Sequence, residues 1–183
     1  NATRYFVQTF TLNGAATYAP LQISCDDNYT LYVNGTEIGG NIGAGQDQWQ
    51  APQTFDILPY LQEGENVIAV EALNVVSYAG LVYDARITLE DQTQVMVCSN
   101  MAEVLTSKTA QSGWNQVGFN TSNWIAPKEI GVMGVSPWGA LYFNSALYAE
   151  NQIEITEFGA EEELRADSTV RIPATITITE PIT

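Results

Sequence analysis

Apolar and polar residues alternate with a period of two along most of this chain. RYFVQTFTL, APLQISC, YTLYVNG, NVIAVEAL, AGLVYDARITLE and TQVMVC are short alternating or apolar runs separated by clusters of Gly, Pro, Asn and Asp. Short strands at such spacing predict an all-β protein, an antiparallel sandwich or barrel. In YTLYVNGTEIGG the Asn34-Gly35 pair lies between two strand-like runs. Both central residues of a type I′ turn need positive φ, so a hairpin is predicted there. Helical periodicity is brief wherever it occurs: SNMAEVLTS (99–107) and FDILPYLQEG (55–64) offer a turn or so each, the second divided by Pro59.

After Tyr148 the texture changes. NQIEITEF is another alternating run, GAEEELRADS is a charged connector, and TVRIPATITITEPIT closes the chain. In that last stretch Val170, Ile172, Ala174, Ile176, Ile178 and Ile182 fall on one face, interrupted by Glu180, and threonines, Arg171 and two prolines on the other. At about 3.3 Å per residue it would extend roughly 40 Å, against about 17–20 Å for an ordinary strand. The expected organisation is therefore a β-sandwich over residues 1–148 and a C-terminal β extension over 149–183. An apolar alternating strand suits β-strand addition to a neighbouring copy, with Pro173 and Pro181 confined to edges or strand ends. The plainer readings are an ordinary final strand, or the first strand of a further domain.

Composition narrows the partners. Two lysines and four arginines stand against 21 acidic residues, a net charge of −15, which repels nucleic-acid phosphate and anionic membrane surfaces. No apolar run approaches the roughly 20 residues of a membrane helix. The chain begins at Asn1 with no methionine or signal-like stretch, as a processed secreted product or an excised domain would, and an extracellular or cell-surface location is expected. There is no histidine. Ser-His-Asp triads, Cys-His dyads and histidine-based zinc sites are thereby excluded. Cys25 and Cys98 each end a strand-like run and lack zinc-ligand spacing; they are expected to form one disulfide, with two buried thiols as the alternative.

Three segments in order carry a family resemblance: ISCDDNYTLYVNGTEIG, FDILPYLQEGENVIAVEALN, and GWNQVGFNTSNWIAP followed by SPWG at 136–139. Together, over about residues 4–145, they resemble the galactose-binding-like jelly-roll domains found beside or within many glycoside hydrolases, including those preceding rhamnosidase-type catalytic domains. The resemblance implies two antiparallel sheets packed face to face and a non-catalytic role in sugar binding or domain positioning. Cys98 stands where such domains commonly carry an aspartate, and the Trp that follows there is replaced within SNMAEVLTS. Ligand residues of these domains sit on variable loops, so none is carried over.

Candidate residues come from side-chain chemistry. Asp26 and Asp27 could serve a turn, a structural calcium ion or a catalytic carboxylate pair; the turn role is expected, with no metal centre and no cofactor. Flat rings stack on pyranose faces, and Trp49 in GGNIGAGQDQWQAP and Tyr78 in NVVSYAG are the loop aromatics placed for that. Trp114, Trp124 and Trp138 are expected to pack rather than bind. Asn1, Asn28, Asn34 and Asn120 head Asn-X-Ser/Thr sequons, of which Asn28 and Asn120 are the expected exposed glycan acceptors. The function the sequence favours is a non-enzymatic subunit of an extracellular filament, with copies of itself as partners. The alternative is a lectin-like carbohydrate-binding module, in which glycans are the partners.

Overall fold

The computed structural model describes residues 2–42, 48–75 and 79–131. Ten strands are β1 (Ala2–Leu12), β2 (Ala16–Tyr18), β3 (Pro20–Asp26), β4 (Asn28–Val33), β5 (Thr36–Gly40), β6 (Gln53–Asp56), β7 (Gly64–Asn74), β8 (Gly80–Leu89), β9 (Gln94–Cys98) and β10 (Val104–Ser107). One sheet runs β10-β1-β7-β4-β5. In the other, β6 pairs β3, β3 pairs β8, and β9 lies on the far edge of β8. All the pairings are antiparallel. The expected antiparallel sandwich is what forms.

Strand pairing explains which runs alternate and which do not. β1 and β7 stay in register from Ala2↔Asn74 to Leu12↔Gly64, and β4 pairs the other edge of β7. Ile68 and Val70 of β7 enter the main core with Leu31 and Val33 of β4 and with Ile23, Tyr83, Ala85 and Ile87 of the facing sheet. Val67 and Ala69 point to the opposite face and pack with Val7, Trp114 and Trp124 in a second cluster. Since β7 is covered on both faces, its run NVIAV is continuously buried instead of alternating. Irregular chain around residues 111–126 supplies that third layer, tied down by the Thr106↔Ile125 bridge.

The Asn34-Gly35 hairpin joins β4 to β5 with φ of 49° and 83°. Of the two helical candidates, 55–64 keeps a single 3-10 turn at Leu58–Tyr60. Residues 99–107 do not hold a helix: a turn at 101–103 leads into β10, because Val104–Ser107 pairs Gln8–Tyr5 on the edge of β1. The expected disulfide also needs correction. Cys25 lies on the core face of β3, opposite Leu81, whereas Cys98 is exposed on β9, opposite Asp84, with β8 between them. Two thiols on opposite faces and two strands apart cannot be bridged, and both are free. Trp138, the 149–183 extension and the strand face formed by Val170, Ile172, Ala174, Ile176, Ile178 and Ile182 lie outside the described residues.

Candidate functional site: the loop-bearing end of the sandwich

At one end of the sandwich three connections converge: the β3–β4 turn at Asp27, the stretch leaving β5 at Asn41, and the β7–β8 connection at Val75. Asp27 binds them together. Its Oδ2 accepts the Val75 N–H at 2.6 Å, and its carbonyl accepts Nδ2 of Asn41 at 3.0 Å. Asn41 completes the knot, for its Oδ1 accepts the Tyr29 N–H at 2.7 Å and its carbonyl accepts Asn28 Nδ2 at 3.1 Å. Asp27 and Asn41 are buried, at 2% and 4% exposure, so these bonds satisfy groups that water cannot reach. A Cβ on Gly40 would collide with the Tyr29 carbonyl oxygen, which is why a glycine precedes Asn41.

The two aspartates have separate roles. Asp27 takes the expected turn role, while Asp26 pairs Gly80 in register and lines an open groove between the sheets. Burial, then the charge of Asp27, then a hydrogen bond with Asp27 push the Asp26 carboxyl up to about 6. The Cys25 thiol beside them is raised as well, first by burial and then by the charges of Asp26 and Asp27. Among the described residues, no group of three or more Cys, Asp or Glu side chains is arranged to hold a metal ion.

A testable pH dependence follows from Asp26. Its folded-state pKa lies above the ordinary aspartate value, so the folded protein binds more protons than the unfolded chain between about pH 4 and 6. This group's contribution to stability therefore falls as pH rises through that window. Asp26→Asn should be neutral near pH 4 and more stable than the parent at pH 7. With solvent screening discounted, the gain is about 1 kcal/mol, a rise in Tm of roughly 2–4 °C. Paired thermal melts from pH 4 to 7 check this; a constant gap between the two proteins would contradict it.

Other expected site residues are distributed unevenly. Trp49 sits half-buried in a 3-10 turn (Gln48–Gln50) over the outer face of β3, where its carbonyl accepts the Ser24 hydroxyl at 2.6 Å. Tyr78 and Asn1 lie outside the described residues. Asn28 turns its amide inward onto Asn41, and Asn34 donates to the Tyr60 carbonyl and to Asn66 Oδ1, both at 2.8 Å. Asn120 is exposed, its Oδ1 accepting only the local Ser122 N–H at 3.0 Å. Sequence reasoning missed Asn41; its only signal is an asparagine directly after the glycine pair that ends β5.

The order of the strands, the two facing antiparallel sheets and the loops gathered at one end define a galactose-binding-like jelly-roll domain, and over the described residues this chain is one. It is 31% identical over 140 residues to an α-L-rhamnosidase of Streptomyces avermitilis, covering 75% of this chain and 14% of the relative. The crystal structure of that rhamnosidase complexed with L-rhamnose superposes with a TM-score of 0.71 at 29% identity, over 76% of this chain and 14% of that one. A lectin from Pleurotus ostreatus, in complex with GalNAc, gives a TM-score of 0.68 at 29% identity, over 76% of this chain and 40% of the lectin. An α-L-rhamnosidase of Aspergillus terreus, at 20% identity and a TM-score of 0.65, shares the fold. No family model matches the sequence. The chain thus spans a small fraction of the length of the rhamnosidase it matches.

These relatives correct the expectation of a filament subunit built from copies of itself. The matched region, three quarters of the chain, resembles part of a glycoside hydrolase and part of a lectin, which points to carbohydrate binding instead. The filament reading rested on an alternating tail, and alternation reports extended backbone without saying what it pairs with.

Proposed function

We propose that this chain is a non-catalytic carbohydrate-binding module that takes a terminal neutral sugar at the loop-bearing end of the sandwich. The observation that carries this reading is the joint similarity, at 29% identity in each case, to a lectin complexed with GalNAc and to a segment of a rhamnosidase complexed with L-rhamnose. The chemistry at this end agrees with it. Asp27, Asn28 and Asn41 form a hydrogen-bonded frame that fixes this end, Asp26 beside them lines the open groove, and Trp49 stands half-buried over the outer face of β3. Planar polar groups for hydroxyls and a flat apolar ring for a pyranose face are what sugar recognition needs. The large negative charge disfavours anionic ligands at long range. An extracellular setting, where such glycans occur, belongs to the same proposal.

Glycan-array screening followed by calorimetry with L-rhamnose and GalNAc tests the proposal. Binding to glycans ending in a neutral sugar is expected, weakened about tenfold, or about 1.4 kcal/mol, by Trp49→Ala. Absence of binding to any glycan would sink the reading. Hydrolysis of an aryl rhamnoside that disappears in Asp26→Asn would replace it with an enzymatic one.

A further inference from the structure

Away from the loop tips, two strand edges are left open. β9 pairs β8 only from Asp84 to Thr88, so Gly80–Val82 has no strand on that side among the described residues. β10 pairs β1 only from Tyr5 to Gln8, which leaves the Ala2–Arg4 edge open in the same way. A groove of about 860 Å³ lies there, and Asp26 is part of its wall. That volume falls in the range of about 300–1,000 Å³ typical of small-molecule sites, and it is open to solvent.

Two polar atoms in this groove are unusual. Asn74 Oδ1, on β7 of one sheet, and Asp84 Oδ1, on β8 of the other, are both buried without a hydrogen-bond partner among the described residues. A buried acceptor without a donor costs on the order of 1–3 kcal/mol, so each marks a place where a ligand donor would be stabilised. The other Asp84 oxygen is held by Arg86 at 3.0 Å, and Arg4 also lines the groove, so donors stand beside the acceptors. Of the four cationic side chains among the described residues, Arg4, Arg86 and Lys128 are here, in a chain whose net charge is −15. Phe6, Leu81 and Tyr83 form apolar wall between these groups.

We propose that the groove is an extended glycan subsite, continuous through Asp26 with the loop-end site, so that the natural ligand is an oligosaccharide of two or three units. Every sugar hydroxyl both donates and accepts, which matches a wall carrying orphan acceptors and guanidinium donors together. An added peptide strand would serve the open edges, but its N–H groups come at a fixed spacing along one line. Asn74 and Asp84 belong to different sheets and call for donors at independent positions. This inference rests on the carbohydrate-binding reading and names the ligand's length.

Calorimetry on the full chain, with L-rhamnose and GalNAc as monosaccharides and with neutral trisaccharides ending in each, tests it. The trisaccharide is expected to bind at least tenfold more tightly than its terminal monosaccharide. Asn74→Leu and Arg86→Gln should each reduce that advantage to threefold or less while monosaccharide affinity stays constant. The Arg86 side chain is partly exposed on β8, so its replacement keeps the test valid if Asn74→Leu fails to fold. Equal affinity for the two ligands would overturn the subsite, including the case in which other protein chain fills the groove, and would leave the loop-end site standing. No binding of either would remove both.

Discussion

Trp114→Ala is expected to cost about 3–5 kcal/mol of folding stability, the range for removing a large aromatic side chain from a packed site. Trp114 is 9% exposed and stands at the centre of the layer on the outer face of the first sheet. Its ring meets Tyr5 edge-on at 5.1 Å and Tyr32 edge-on at 5.7 Å, and stacks on Trp124 at 6.1 Å with planes 17° apart. Phe119 closes the far side of Trp124 at 5.9 Å. Such pairs add about 0.5–1.5 kcal/mol each beyond buried area, so removing the central ring forfeits three of them at once. The alanine would also leave Val7, Val67 and Ala69 facing a void or water. Urea unfolding monitored by circular dichroism gives the value. A loss below about 1 kcal/mol would show that residues 111–126 are a loose cover, and that Val67 and Ala69 tolerate solvent.

The aromatic layer was legible in the sequence in part: GWNQVGFNTSNWIAP marked Trp114 and Trp124 as packing residues, and they pack. The Asn34-Gly35 hairpin was legible because its cause is local, two adjacent residues able to take positive φ. Nonlocal facts were harder to see. Whether two cysteines can meet depends on strand order and on which face each occupies, and a shift of one residue in register exchanges the faces. QISC and VMVC look alike, yet one thiol enters the core and the other faces out. The site's polar frame was hidden for a related reason. Asn41 matters because folding brings the Asp27 carbonyl and the Tyr29 N–H within its reach, and nothing in GGNIG announces that. Function was misjudged where the sequence was most regular. The Ile/Thr alternation at 170–182 carries a strong strand signal and no information on its partner, whereas the less regular first 145 residues held the three segments that the rhamnosidase and lectin comparisons support.

Asn66→Ala is expected to cost about 3 kcal/mol and to lower Tm by roughly 6–12 °C, although it removes no large apolar surface. Asn66 is fully buried at the start of β7, where all four of its hydrogen-bonding positions are used. Its Oδ1 accepts the Gln62 N–H at 2.9 Å and Asn34 Nδ2 at 2.8 Å, while its Nδ2 donates to the Gln62 carbonyl at 2.7 Å and the Gly64 carbonyl at 3.0 Å. One side chain therefore closes the loop that delivers residues 61–64 into the central strand and fastens it to the Asn34 turn. Asn34 completes the link by accepting the Val67 N–H at 2.7 Å. Alanine would leave two carbonyls and an N–H of this loop without their partners, next to Gln62 and Glu63, which are exposed. Asp at this position keeps the acceptor oxygens and loses both donations, so Asn66→Asp should fall between the parent and the alanine variant. Because Asn34 and Asn66 share a bond, Asn34→Gly and Asn66→Ala should be non-additive by about 1 kcal/mol in a double-mutant cycle. Strict additivity would mean that the two asparagines stabilise their loops separately, and the hairpin and the entry to β7 would then be independent features of the fold.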